Sequence, residues 1–330
     1  MAVGPPSPSC ERVGAMIAAD VDDRLAAWCR RHLGSTPVER FFGADHLSQV
    51  HGLRLADGRE VVLKLRGREE RLLGCHAVHR AVWEAGIPCP EPLAGPQPLA
   101  DDEPNRWVTA EAWADASEIR TGDDLAEVYA RLLADIVAAA PALDSLPTLE
   151  PPVPWLWFDH ADPGRTWPPP ASDRWDPHRI DAELPPHIPA TARRARARLL
   201  ADGARANGRI VGHGDLSGLN TRWHGLQPIV HDWDSVVAMP EAVLAGSTAV
   251  DHVSNDRTRL ATLAQGDRFL AAYAAARDLS WTATETEIAY AAGAWLAAYN
   301  AAFEHLKDGP YPVSEQLALD AEERLQRAGA

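Results

Sequence analysis

The first third of the chain alternates apolar and polar positions in a way that predicts a small antiparallel sheet. Three strands are predicted between residues 38 and 66, because LSQVHGLRL alternates and the apolar run VVLKL follows it across a turn at Asp57 and Gly58. Two further apolar segments, near 92–99 and 106–113, can complete the sheet. These segments therefore predict one compact unit at the start of the chain.

Helical periodicity dominates the remainder of the chain. Apolar residues recur at steps of three and four, as a helix face that packs on a core requires. Glycine, proline and charge order mark several of the helix ends. Helices are predicted over residues 20–34, 67–86, 123–140, 190–206, 247–277, 283–307 and 312–327, whereas residues 1–19 are predicted to be a loose tail.

The segment 141–189 interrupts this pattern because it is crowded with proline and tryptophan, as in PPVPWLWFDH and TWPPP. It is predicted to be an ordered irregular loop. Two interpretations of its aromatic residues remain open. Trp155, Trp157, Trp167 and Trp175 either form the wall of a ligand site or attach the loop to the core.

Composition and charge narrow the class of protein. The chain has 330 residues, enough for about two domains, and a formal net charge of −15. This charge disfavours nonspecific nucleic-acid binding, which depends on neutralising phosphates. Cys10, Cys29, Cys75 and Cys89 show no disulfide or zinc spacing and are predicted to be reduced thiols. No apolar stretch approaches the roughly 20 residues of a membrane span, so a cytoplasmic protein is expected.

The strongest chemical signal lies in RIVGHGDLSGLNTRWHGLQPIVHDWD, where three short strand pieces are predicted. They bring Asp215, Asn220 and Asp232 to one end of the strands. Two carboxylates and one amide oxygen are hard oxygen donors of the kind that Mg²⁺ prefers. Asn220 follows Asp215 by five positions, and Asp232 follows Asn220 by twelve. This is the order of the phosphoryl-transfer template.

HGDLSGLN and VHDWD resemble the catalytic loop and metal-binding segment of the aminoglycoside phosphotransferase and choline kinase family. The resemblance implies that Asp215 is the catalytic base, that Asn220 is a magnesium ligand, and that Asp232 bridges magnesium to the nucleotide phosphates. His213 matches a structural histidine. Asp234 is interpreted as a supporting or capping carboxylate.

The same resemblance predicts a lysine on the third strand of the first lobe, and Lys64 in VVLKL stands there. A cation among apolar neighbours on a buried strand needs an anionic partner, which nucleotide phosphates supply. The alternative is an edge-strand lysine that faces solvent. The resemblance also implies that Ser48 lies near the phosphates and that the backbone groups of Glu111 and Trp113 meet the adenine. Together with Lys64, these residues are expected to bind the nucleotide.

One element of the family pattern is not found. The strand lysine should pair with a glutamate on the following helix, but the expected position falls near His76. Glu69 and Glu70 lie about two turns too early, and Glu84 lies about two turns too late. The sequence therefore names no partner for Lys64.

The fold class that follows from the resemblance is α+β. A two-lobed protein-kinase-like fold is expected, with a small antiparallel-sheet N-lobe and a larger, mainly helical C-lobe. The predicted boundaries are a tail and helix at 1–34, a nucleotide-binding N-lobe at 35–110, and a catalytic and substrate-binding C-lobe at 111–330. Gly214 replaces the arginine that reads a phosphorylated loop in protein kinases, and only about fifteen residues are predicted between Asp232 and the next helix. Both features favour a small-molecule kinase.

The expected reaction is transfer of the γ-phosphoryl group of ATP or GTP, with Mg²⁺, to a hydroxyl of a small molecule. An aminoglycoside or another antibiotic is one candidate acceptor, and no nucleic-acid, membrane or protein partner is expected. A first alternative is a degenerate kinase-like protein that binds nucleotide or small molecules without turnover. The second alternative is a metallohydrolase that uses a transition metal held by His213, Asp215, His231, Asp232 and Asp234.

Overall fold

The computed structural model describes residues 22–45, 48–122, 125–162, 164–170, 176–201, 208–307 and 309–330, so the predicted tail at 1–19 lies outside the described residues. The described chain divides into two compact units, and each is built from separate stretches. The first unit contains the described residues up to Glu118 together with 146–149 and 222–234. The second unit contains the described residues of 119–145, 150–221 and 235–330.

The first unit has the predicted order of a helix, three strands, a second helix and two further strands. The five strands form one antiparallel sheet in the order β1-β2-β3-β5-β4. The elements are α1 (Asp23–Leu33), β1 (Pro37–Asp45), β2 (Gln49–Leu55), β3 (Glu60–Gly67), α2 (Arg71–Glu84), β4 (Pro92–Pro98) and β5 (Arg106–Ala112).

Local sequence signals explain where these elements begin and end. The Asp22 side chain accepts a hydrogen bond from the Arg24 N–H, which caps the start of α1. Gly34 ends the helix with a φ of 73°, a left-handed conformation that glycine adopts without steric cost. Gly58 has a φ of 89° in the turn between β2 and β3, as the predicted hairpin requires. Trp28 of α1 is buried with the apolar side chains of the sheet in one core.

A hairpin from much later in the chain also belongs to the first unit, except for its first residue, Thr221. It consists of β7 (Thr221–His224) and β8 (Gln227–Val230), which form a two-stranded sheet. Backbone hydrogen bonds join Trp223 to Glu118 at 2.9 and 3.3 Å, and the Val230 N–H donates to the Pro88 carbonyl at 3.0 Å. The first unit thus differs from the predicted lobe at 35–110: β5 continues through residue 110, and the unit includes this distant hairpin.

The second unit is mainly helical. Its elements are α3 (Leu125–Ala139), α4 (His187–Ala201), β6 (Arg209–His213), β9 (Val236–Pro240), α5 (Glu241–Asp251), α6 (Leu263–Ala276), α7 (Ala283–Glu304) and α8 (Pro312–Arg327), and β6 pairs antiparallel with β9. Helices α5 and α7 pack closely, since a Cβ on Gly246 would lie 2.0 Å from the carbonyl oxygen of Ala289. The described part of the chain confirms the α+β fold class, and none of its helices combines the length and hydropathy needed to cross a membrane.

The predicted helix at 247–277 is wrong in two respects. It is two helices, because the polar side chains of the intervening turn hydrogen-bond locally and Thr262 then starts α6 with a capping box to Gln265. The first of the two begins at Glu241, so eight residues rather than about fifteen separate it from Asp232. Apolar periodicity detects neither the turn nor the extra strand β9.

Candidate active site

Lys64 lies on β3, the central strand of the five-stranded sheet. Its neighbours Leu63 and Leu65 point into the apolar core, so the lysine side chain points to the opposite face of the sheet. That side chain is only 13 % exposed, and its Nζ lies 3.3 Å from Asp232 Oδ1 and 3.7 Å from Glu111 Oε1. The interpretation of Lys64 as a solvent-facing edge lysine is therefore wrong.

Asp232 follows β8 and has a φ of 63°, in the left-handed region. Aspartate tolerates this region better than most residues, but the conformation still costs about 1–2 kcal/mol. Its side chain is 39 % exposed, so the carboxylate contacts Lys64 and also remains open to solvent. Strained backbone of this kind is concentrated at functional sites.

Asp234 fixes the segment that carries Asp232. Its carboxylate forms an ion pair with Arg66 of β3, and both side chains are 15 % exposed. Its main-chain carbonyl accepts hydrogen bonds from Arg71 Nη1 at 2.6 Å and from Cys75 Sγ at 3.5 Å, both on α2. These contacts support the interpretation of Asp234 as a supporting carboxylate.

A pocket in the first unit adjoins these side chains. It opens among β3, β5, α2 and the segment after β8 and is lined by both charged and apolar groups. Its ionisable lining residues include Lys64, Arg66, His76, His79, Glu111 and Asp234.

The electrostatics of this cluster favour a permanent cation at its centre. Burial opposes the charge of Lys64, but the nearby carboxylates, led by Glu111 and Asp232, outweigh burial and raise the lysine pKa. Burial raises the pKa of Glu111 even though the lysine charge opposes it. Burial and the charge of Asp232 raise the pKa of Asp234 to about 6. Burial and the lysine charge lower the pKa of His231 to about 3, so this imidazole is neutral at pH 7.

Asp215 lies in the second unit, two residues after the end of β6, in residues 213–220, which we call the HGD segment. The Asp215 N–H donates to Nδ1 of His213 at 3.2 Å, and this histidine is fully buried. The Gly214 N–H donates to a main-chain carbonyl at 2.8 Å, and Asn220 Nδ2 donates to the Asp215 carbonyl at 2.9 Å. The backbone on both sides of the aspartate is therefore fixed.

Asp251 of α5 supports the HGD segment and is not among the site residues predicted from the sequence. It accepts hydrogen bonds from Ser254 Oγ at 2.9 Å and Asn300 Nδ2 at 3.2 Å. Burial raises the pKa of Asp251 to about 7, although the hydroxyls of Ser254 and Ser217 act in the opposite direction. A Cβ on Gly218 would lie 2.4 Å from the carbonyl of Ser254, so the segment packs directly on this turn. An acid inside the apolar sequence LAGSTAVD is the signal that could have revealed it.

The described tryptophans of the irregular segment attach it to the protein. Trp167 is fully buried. The indole N–H of Trp155 donates to the Gly214 carbonyl at 2.9 Å, next to Asp215. Trp157 is partly exposed, and Trp175 lies outside the described residues. The described residues therefore favour a positioning role for this segment over a ligand wall.

The remaining predicted nucleotide contacts are placed as follows. Ser48 is partly buried and immediately precedes β2, in the connection from β1. The Trp113 N–H donates to the Glu60 carbonyl at 3.0 Å, and its ring packs edge-on against Phe41 with centroids 5.0 Å apart. Because the N–H of Trp113 is already used in the sheet, the predicted contact of Trp113 with adenine would be made through its carbonyl. Glu111 differs from the prediction, which concerned its backbone, because its side chain lies at the site, 3.7 Å from Lys64.

Asp232 in the first unit and Asn220 in the second each carry an oxygen of a type that binds divalent cations. The Asp232 carboxylate is partly exposed, and Asn220 uses Nδ2 to bond the Asp215 carbonyl, which leaves Oδ1 as the atom that can bind a metal. Carboxylate and amide oxygens suit Mg²⁺, which takes few protein ligands and fills its other positions with water and phosphate. Each of these two side chains, taken by itself, is of a type that suits Mg²⁺.

The metallohydrolase alternative loses support from the same geometry. Among the residues that the structure describes, no group of three or more His, Cys, Asp or Glu side chains is arranged to hold a metal ion. Asp234, one of its proposed ligands, is paired with Arg66. Nδ1 of His213, another proposed ligand, accepts the Asp215 N–H.

The fold of the chain is that of small-molecule kinases of known structure. Spectinomycin phosphotransferase APH(9)-Ia, solved with ADP and spectinomycin, matches with a TM-score of 0.56 and 11 % identity over 94 % of each chain. Amicoumacin kinase hAmiN, solved with AMP-PNP and Ca²⁺, matches with a TM-score of 0.55 and 13 % identity over 87 % of this chain and 88 % of that chain. Macrolide 2'-phosphotransferase MphH from Brachybacterium faecium matches with a TM-score of 0.51 and 18 % identity over 93 % of this chain and 98 % of that chain.

Sequence comparison agrees with the fold. The profile described as "Phosphotransferase enzyme family" matches residues 40–286, a range that includes both Lys64 and the HGD segment. No curated protein matches the chain by sequence. The chain belongs to the phosphotransferase enzyme family, and the resemblance identified from its motifs is confirmed.

Proposed function

We propose that the protein transfers the γ-phosphoryl group of ATP, or of GTP, to a hydroxyl of a small molecule. The observation that carries the proposal is the buried ammonium of Lys64, which lies 3.3 Å from the carboxylate of Asp232. Asp232 itself has a left-handed backbone conformation. An aminoglycoside or another antibiotic is one candidate acceptor. The cytoplasm, where ATP is supplied, stays the predicted location.

Each residue has a distinct role in the proposal. Lys64 neutralises charge on the triphosphate, and Ser48 lies near the phosphates. Glu111 and the carbonyl of Trp113 belong to the nucleotide side of the site. Asn220 and Asp232 each supply an oxygen ligand for Mg²⁺. When bound, the metal neutralises phosphate charge and orients the γ-phosphoryl group.

Asp215 acts as the base of the transfer step. Its carboxylate orients the acceptor hydroxyl and takes its proton as the hydroxyl oxygen forms a bond to the γ-phosphorus. The bond from that phosphorus to the bridging oxygen breaks, and the nucleoside diphosphate leaves with that electron pair. Positioning and charge stabilisation carry most of the rate enhancement in such reactions. The rigid HGD segment is suited to this task.

The alternative of a degenerate binding protein rested on the missing helix glutamate. The structure supplies Lys64 with two carboxylates, at 3.3 and 3.7 Å, so the lysine is held without that residue. This observation favours an active enzyme.

The test measures transfer of radiolabel from [γ-³²P]ATP to a panel of hydroxyl compounds in Mg²⁺. Candidate acceptors are first ranked by thermal shift with Mg²⁺ and AMP-PNP, since a selective ligand raises apparent stability. The proposal expects a labelled product with the wild type and a loss of transfer, with nucleotide affinity kept, in Asp215→Asn. Nucleotide binding without transfer to any acceptor would favour the degenerate alternative.

A further inference from the structure

Helix α2 supplies no carboxylate to Lys64, although the family pattern places the partner there. Its single acid, Glu84, is exposed at the C-terminal end of the helix. Glu70, just before the helix, pairs with Arg68 at 2.8 Å. The position expected for a glutamate holds His76, which lines the same pocket as Lys64.

The neighbouring strand supplies the carboxylate instead. In the register of β3 and β5, Lys64 lies opposite Thr109, and Val62 lies opposite Glu111. Side chains alternate along a strand, so Lys64 and Glu111 are diagonal neighbours on one face, a separation that long side chains can bridge. Their charged atoms are 3.7 Å apart, with side chains 13 % and 10 % exposed. The contact is a direct consequence of strand register.

Because Glu111 is buried, its carboxylate depends on Lys64 as a partner. A carboxylate removed from water is strongly unfavourable unless a cation pairs with it. Glu111 lies in the apolar sequence VTAEAW, and Lys64 is the cation within 4 Å of it in the described structure. Lys64 also contacts Asp232, but that carboxylate is the one proposed to bind the metal. No metal-binding role is proposed for Glu111.

We propose that Glu111 is the positioning residue of Lys64. From the adjacent strand β5, Glu111 takes the place of the helix glutamate and holds the Lys64 ammonium in position for the nucleotide phosphates. The inference rests on the proposed function, because it assigns Lys64 to the nucleotide. A pair built into the sheet keeps its geometry whatever the position of α2.

The first experiment is a double-mutant cycle on the stability of nucleotide-free protein. Lys64→Met, Glu111→Gln and the double variant are compared by the midpoint of urea unfolding. We expect the double variant to lose less than the sum of the single losses, because each single variant removes one partner of a buried pair. In the matched control, the losses from Lys64→Met and Glu84→Gln add. Additive losses in the Glu111 cycle would overturn the proposal.

Glu111→Asp replaces Glu111→Gln if the latter does not fold. It keeps the charge but shortens the side chain by one methylene, so the same non-additivity with Lys64→Met is expected at smaller amplitude. Additivity in this cycle counts equally against the proposal.

The second experiment measures affinity for Mg-AMP-PNP by titration calorimetry and needs no acceptor. Glu111→Gln is expected to weaken binding about 10- to 100-fold, because the Lys64 ammonium loses the buried carboxylate that pairs with it at 3.7 Å. Glu84→Gln is expected to leave it unchanged. Adding His76→Glu to Glu111→Gln should restore most of the affinity, because it returns a carboxylate to the pocket of Lys64.

The two experiments separate this inference from the proposed function. Unchanged affinity in Glu111→Gln, or no recovery with His76→Glu, overturns the positioning role. A wild-type protein without affinity for Mg-AMP-PNP overturns the proposed function, and the stability cycle then decides the inference alone.

Discussion

The indole N–H of Trp155 donates a 2.9 Å hydrogen bond to the carbonyl of Gly214, the residue before Asp215. The Trp155 carbonyl in turn accepts a 2.9 Å hydrogen bond from the indole of Trp295, which is fully buried in α7. A long helix therefore holds the irregular segment, and the irregular segment holds the HGD segment.

Trp155→Phe tests this connection. The phenyl ring retains much of the packing but loses the donor, so kcat should fall about threefold to tenfold, the effect of one neutral hydrogen bond. The KM for ATP should change little, because the contact is to the segment that is proposed to orient the acceptor. Trp281→Phe is the matched control, since its indole donates to the Leu270 carbonyl at 3.2 Å. Equal kcat values for the two variants would contradict a positioning role for Trp155.

Asp251 should make stability depend on pH. Burial raises the pKa of Asp251 from its ordinary value of 3.8 to about 7. The native state then retains a proton that the unfolded chain releases, so the group stabilises most below pH 4 and that contribution is lost as pH rises through 7. Asp251→Asn stays neutral throughout. The free energy of unfolding of the wild type relative to this variant should therefore fall between pH 5 and pH 8, as measured by urea unfolding, and a constant difference would refute the assignment.

Asp234 should matter more for stability than for nucleotide binding. At pH 8, where its carboxylate is ionised, Asp234→Asn leaves Arg66 without its buried partner and should lower the free energy of unfolding by about 3–5 kcal/mol. Asp57→Asn, in the exposed pair with Arg59, should change the free energy of unfolding far less. Urea unfolding and Mg-AMP-PNP titration separate the two effects. A larger loss of affinity than in Asp232→Asn would instead indicate that Asp234 binds the nucleotide complex directly.

The left-handed conformation of Asp232 should reverse the usual order of stability between an alanine and a glycine substitution. Alanine normally stabilises relative to glycine, but at a φ of 63° glycine avoids the steric cost. Asp232→Gly should therefore be more stable than Asp232→Ala by about 1 kcal/mol. Both variants should lose Mg²⁺-dependent affinity for AMP-PNP. Thermal unfolding of the two variants checks the order, and a more stable alanine variant would argue against the strained conformation.

Local signals made the first unit predictable from sequence. Strand alternation and the glycine turn are properties of a few consecutive residues, and Gly34 and Gly58 both adopt the positive φ that their positions require. Lys64 was identifiable for the same reason, because a charge between apolar neighbours stands out within five residues. The HGD segment and VHDWD were identifiable by spacing.

The partners of these residues were not predictable, because they depend on register and on distant contacts. Lys64 and Asp232 are 168 residues apart, and Trp155 and Gly214 are 59 apart. Glu111 shows the same local signal as Lys64, but a single sequence does not reveal which strand positions face each other. The hairpin that carries Asp232 joins the first unit through backbone hydrogen bonds, which leave no trace in side-chain pattern.

The most direct measurement of the central claim uses the lysine content of the chain. Lys64 and Lys307 are the only lysines in the sequence. An acyl phosphate of ATP acylates an amine beside the bound phosphates, and peptide mass spectrometry reports both lysines in one digest. The account predicts that excess Mg-AMP-PNP suppresses acylation of Lys64 and leaves acylation of Lys307 unchanged. Labelling of Lys64 that the competitor leaves unchanged, or equal suppression at the two lysines, would contradict a nucleotide site at Lys64.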